Sequence, residues 1–167
     1  MNKHTKCYSY TFLQQFKFGC ALLLSFMVFG CGDSNKVEPT LTSLWDNELK
    51  DCGLNCHSPD ASDGTENGPD LTTKDNFYNN LVGKNVINDY PSWVRGGNCD
   101  SVNFITAGNA NQSTVTASLI QSYSDNLGAA ENCVTSFNEH VDKNVSITDQ
   151  ATQDALVEWI NNGAQNN

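Results

Sequence analysis

The residues best able to do chemistry stand together in this chain, as Cys52-Gly53-Leu54-Asn55-Cys56-His57. Two thiols separated by three residues, with an imidazole directly after the second, allow a short disulfide, a metal site or a covalent link to a prosthetic group. The other histidine outside the N-terminal segment is His140. Two thiols and two imidazoles could in principle make a tetrahedral zinc site. The acidic residues form no paired-carboxylate pattern suited to acid–base catalysis. A serine nucleophile needs a partnering base, and with His57 committed to the thiol motif only His140 remains, so the chain does not read as a hydrolase.

The redox compartment decides what free thiols become, and the first 30 residues speak to it. Lys17 is followed by an uncharged run whose centre is Ala21-Leu22-Leu23-Leu24-Ser25-Phe26-Met27-Val28-Phe29-Gly30. About ten apolar residues suit the core of a signal peptide and are too few to span a bilayer comfortably. The run ends Val28-Phe29-Gly30-Cys31, which resembles the lipobox of bacterial lipoproteins. That resemblance implies a signal over residues 1–30, a lipid on Cys31 and an address at the outer membrane, since Gly32 rather than an aspartate follows. Residues 31–42 are polar and read as a flexible tether, with the domain expected over residues 43–167.

Cys7 and Cys20 leave with such a signal, which leaves Cys52, Cys56, Cys99 and Cys133. Four cysteines in an oxidising compartment usually pair, in one of three connectivities. Cys99 and Cys133 are far apart and have no histidine beside them. They are read as a structural disulfide closing a long loop, contributing about 2–4 kcal/mol.

Charge excludes more than it assigns. The chain has 9 basic and 19 acidic residues, for a net of −10. Lys3, Lys6 and Lys17 all precede Cys31, so the remainder carries 6 basic against 19 acidic residues, a net of −13. Nucleic acid is an unsuitable partner for such a surface, because phosphate binding needs a basic footprint.

The elements expected to position the motif are few and short. Ser43 to Asp51 reads as a helix capped by Ser43 with Leu44, Trp45 and Leu49 inward, delivering Cys52. Thr73 to Val82 reads as a second helix, with Phe77, Tyr78, Leu81 and Val82 inward and Gly83 as its stop. Residues 84–111 read as loop with a short strand at Val102–Thr106. Gln112 to Tyr123 reads as a third helix and residues 124–145 as polar loop. The last helix, capped by Ser146 or Thr148, carries Thr152, Ala155, Leu156, Trp159 and Ile160 on one face and stops at Gly163. Asparagine supplies 21 of the 137 residues from Cys31 onward, which favours turns over long helices. The expected fold is mainly α, about four short helices with long loops.

Taken in order, these landmarks resemble the small cytochrome c-like domains of bacterial envelope lipoproteins, of the class I c-type kind. A helix leads into the Cys/His motif. Then come Gly68-Pro69-Asp70-Leu71, a helix bearing Phe77-Tyr78, the turn Ala107-Gly108-Asn109 before Ser118-Leu119, and the terminus Trp159-Ile160-Asn161-Asn162-Gly163-Ala164. The similarity covers about residues 43–164, with an unmatched stretch near 84–98. It implies haem c bound through Cys52 and Cys56, His57 as proximal iron ligand, and electron transfer with a redox protein partner rather than enzymatic turnover. The motif departs from the common form, which has two residues between the cysteines. In the family a Cys-Gly-x-x-Met-Pro element supplies the distal methionine. Here the stretch is Cys133-Val134-Thr135-Ser136-Phe137-Asn138, and both methionines, Met1 and Met27, lie in the signal. His140 is the remaining strong ligand and is expected on the distal side. The competing expectation is a haem-free, disulfide-stabilised lipoprotein domain used for binding or assembly.

Overall fold

In the computed structural model the chain divides into two units, Met1–Asp33 and Ser34–Asn167. The structure describes residues 36–59, 68–86, 102–124, 137–142 and 144–167. The segment read as a signal, Cys31, Cys99 and Cys133 lie outside the described residues. Those described are mainly α-helical, with no strand among them.

Three helical pieces run end to end into the thiol motif: α1 (Leu41–Leu44), a π-helical turn (Trp45–Leu49) and α2 (Lys50–Asn55). The cap is Thr40, not Ser43. Its hydroxyl accepts from the Ser43 amide at 3.2 Å, while Ser43 Oγ accepts from the Glu38 amide. The helix also continues past Asp51 and takes Cys52 into its last turns. Val37 and Leu41 are core residues. The Leu41 amide donates to Asn167 Oδ1 and the Thr42 amide to the Asn167 carbonyl. The packed domain therefore begins near Val37, inside the stretch that composition gives to the tether. Two apolar side chains among polar ones carry no period, so their burial is decided by what packs over them.

Helix α3 (Lys74–Leu81) falls where its period predicts. Thr73 caps it and Gly83, at φ 68°, turns the chain away. The expected strand at Val102–Thr106 is not one. Its residues make isolated bridges, Val82 with Ile105, Asn85 with Asn103 and Asn103 with Ser113, and no ladder follows.

The expected third helix is broken. A 3₁₀ turn (Ala110–Gln112) precedes α4 (Thr114–Leu119), and α5 (Gln121–Ser124) follows an extended Ile120 at φ −128°, ψ 118°. Every residue of α4 is buried. Two of its three hydroxyls are satisfied on backbone carbonyls, while Thr114 Oγ1 is buried without a hydrogen bond. Thr116 Oγ1 donates toward the Ala110 and Ser113 carbonyls at 2.6 and 2.7 Å, and Ser118 Oγ to the Thr114 carbonyl at 2.8 Å.

Helix α6 (Phe137–Asp142) lies in the stretch expected to be loop and packs on α4. Helix α7 (Gln150–Asn161) buries the expected face: Thr152, Ala155, Leu156, Trp159 and Ile160. Its cap is Asp149 rather than Ser146 or Thr148, with the carboxylate accepting from the Thr152 amide and hydroxyl at 2.9 and 2.8 Å. It packs across α1, and its C-terminal end accepts the Gly108 amide on the Ile160 carbonyl and the Ala110 amide on Asn161 Oδ1. Trp159, Phe77 and Phe104 are the largest fully buried side chains, so the core joins α7, α3 and the segment before α4.

Candidate functional site

Cys52 and Cys56 stand one helical turn apart, at i and i+4, and the Cys56 amide donates to the Cys52 carbonyl at 3.3 Å. Both are free thiols. The helix ends there: Cys56 caps α2 at φ −129°, ψ −35°, and the His57 amide closes back on the same Cys52 carbonyl at 2.9 Å. The His57 carbonyl then accepts from the Leu71 amide at 2.9 Å, which ties the motif to Gly68-Pro69-Asp70-Leu71.

Two glycines let these segments touch. A Cβ on Gly53 would lie 1.9 Å from the Leu71 carbonyl oxygen, so α2 rests on that strip backbone to backbone. A Cβ on Gly68 would lie 2.1 Å from Cε1 and 2.2 Å from Nδ1 of His57, so the imidazole edge lies flat against Gly68. Asp70 holds the strip to α3. Its carboxylate accepts from the Thr72 hydroxyl at 2.6 Å, the Thr72 amide at 2.9 Å and Asn76 Nδ2 at 2.9 Å. These donors hold the Asp70 carboxyl below the usual carboxylate range.

His57 and His140, from opposite halves of the sequence, line one cleft. Its other walls are Cys52, Pro69, Leu71, Phe77, Leu81, Phe104, Val115, Ser118 and Leu119. The lining is apolar apart from the two imidazoles, Ser118 and the Cys52 thiol. The cleft holds about 40 Å³. At roughly 10–15 Å³ per water that is room for a few waters, so a flat macrocycle enters only when the walls part.

Burial sets the protonation of the site. It pushes His57 below its ordinary value, partly offset by the Pro69 carbonyl nearby, while His57 Nδ1 is buried and makes no hydrogen bond. Burial, and then the charge of His57, push His140 down to about 4. Both imidazoles are therefore neutral at pH 7, the form in which histidine binds a metal. Burial, then Glu48, Cys56 and Asp51, push the Cys52 thiol up to about 12. A thiol so reluctant to ionise is a poor metal ligand. Among the described residues no three His, Cys, Asp or Glu side chains gather as a metal-ligand set, which leaves the zinc reading without geometric support.

Two elements of the site are absent from the sequence expectation. Phe104 forms one wall, and its signal is the apolar pair Phe104-Ile105 within Val102–Thr106, a segment read as a short strand with no part in the site. Helix α6 carries His140, and its signal is Phe137, His140 and Val141 at the i, i+3, i+4 spacing of a helix face. The chain matches no protein-family model, no curated protein and no solved structure.

Proposed function

We propose that the domain is an envelope-anchored, monohaem, c-type cytochrome-like electron carrier, with haem in the cleft between His57 and His140. The observation that carries this is the meeting of two neutral imidazoles in one apolar cleft walled on one side by the thiol motif. An iron porphyrin needs these features together: apolar walls for the macrocycle, two deprotonated nitrogen donors and a thiol within reach of a vinyl group. His57 would hold the iron from the thiol side and His140 from the other. When bound, the haem would supply a one-electron couple, and the apolar walls would exclude water from it. Attachment would be through a lipid on Cys31, the reading supported by the lipobox-like run Val28-Phe29-Gly30-Cys31.

The test is a pyridine haemochrome spectrum of protein produced with haem-attachment machinery. A c-type spectrum resistant to acid–acetone extraction is the expected result. Absence of haem overturns the electron-transfer reading and leaves a haem-free binding domain in its place.

A further inference from the structure

We infer that haem is joined to this chain by a single thioether, through Cys52, and that Cys56 remains a thiol in the mature protein. This rests on the haem reading above and concerns how the cofactor is held. Two observations separate cysteines that the sequence treats as a pair. Cys52 lines the cleft together with His57 and His140, and Cys56 is not among the lining residues. The backbone supplies the reason. A regular helix with φ near −63° would stack the i and i+4 side chains one above the other. Cys56 sits at φ −129°, where the helix ends. The difference, about 65°, rotates its Cα–Cβ bond about the N–Cα axis, off the line above Cys52. The third intervening residue thus completes the helical turn at Cys56, and the cap then swings that side chain away.

The chemistry balances at one site. The Cys52 S–H bond adds across one vinyl group: a sulfur–carbon bond forms at the carbon nearer the ring and the hydrogen goes to the outer carbon. No oxidant or reductant is consumed. The second vinyl group stays intact. The burial that disfavours the Cys52 thiolate is consistent with a sulfur kept as a neutral thiol until it reacts, then held in apolar surroundings as a thioether.

Mass spectrometry of the haem-loaded wild-type chain tests this without any variant. Trypsin cuts after Lys50 and Lys74, so one peptide holds Cys52 and Cys56 and no other cysteine. After reduction and iodoacetamide treatment the expected peptide carries one haem and one carbamidomethyl group. The haemochrome α band should lie to the red of that of a two-thioether cytochrome, because one vinyl group remains conjugated. Cys56→Ser should retain covalent haem, whereas haem in Cys52→Ser should extract into acid–acetone. A haem peptide with no alkylated thiol means two thioethers and overturns the inference while the electron-transfer reading stands. Retention in Cys52→Ser with loss in Cys56→Ser overturns it in the same way. A chain with no covalent haem removes both.

Discussion

Burial disfavours a proton on both His57 and His140, and His57 adds to the effect at His140; the consequence is measurable as acid sensitivity. In the unfolded chain a histidine titrates near 6.5, whereas folded His140 titrates near 4 and His57 is also lowered. A lowered pKa means the unfolded state binds protons first. The stability that neutral imidazoles permit is therefore full above about pH 6.5 and falls as pH drops toward about 4. Each group can contribute up to about tenfold in the unfolding constant per pH unit. Denaturant melts of the haem-free chain at pH 7.5 and pH 5 should show a lower midpoint at pH 5, and His140→Gln should flatten that dependence. A midpoint that does not move between these pH values would contradict the burial of the pair. If haem binds as proposed, His140 would have a second role. His140→Ala should turn a low-spin ferric spectrum high-spin and let carbon monoxide bind. Two imidazoles favour ferric iron more than a histidine–methionine pair does, so the wild-type potential should lie below that of a methionine-ligated relative. An unchanged spectrum in His140→Ala would remove it as the distal ligand.

At the scale of elements, the two glycines predict different failures. Gly→Ala inside a helix ordinarily stabilises by about 1 kcal/mol. At Gly53 the new methyl meets the Leu71 backbone, which cannot rotate aside. Overpacking of that kind costs about 1–3 kcal/mol, so the sign reverses and Gly53→Ala should lower the melting temperature. At Gly68 the obstacle is the His57 ring, a side chain that can swing. Gly68→Ala should therefore cost less stability than Gly53→Ala while disturbing the haem spectrum more. Equal effects of the two on both readouts would refute this division. The same distinction explains what the sequence made legible. Helix α7 shows its face plainly because Ala155, Leu156, Trp159 and Ile160 repeat with a period near 3.6 against polar neighbours. Helix α4 hides its limits because it is buried on every side, with Thr114, Thr116 and Ser118 alternating with Val115, Ala117 and Leu119, so no polar face marks it. Its break at Ile120 follows from packing. The caps Thr40 and Asp149 compete with Ser43, Ser146 and Thr148 nearby, and side-chain reach, which composition does not encode, chooses between them. For the site, Cys52, His57 and His140 were legible from residue type. The convergence of the histidines, the Phe104 wall and the turn of Cys56 out of line depend on tertiary contacts.

At the largest scale, the unit Ser34–Asn167 ties its last residue to its first helix. Asn167 accepts from Leu41 and Thr42, so the C-terminus closes over the start of the first helix beside the point where the chain enters the core. The core begins at Val37, and only residues 32–36 separate it from Cys31. At no more than about 3.6 Å per residue, the six steps from Cys31 to Val37 span at most about 22 Å even when extended. A compact domain of this size has a radius of gyration of about 14 Å. A lipidated Cys31 thus keeps the domain within little more than its own radius of the membrane. Charge does not hold it there, since a net of −13 beyond residue 30 repels anionic lipid. The two forces predict opposite behaviour on washing. A protein attached by charge leaves the membrane in high salt, because screening shortens the reach of the attraction to about 3 Å at 1 M. One attached by acyl chains stays until detergent is added. Membranes bearing this protein should retain it through 1 M salt and release it in detergent, and Cys31→Ala should leave the chain unprocessed or soluble. Release by salt alone, or an unmodified N-terminus at another residue, would show that Cys31 is not the anchor.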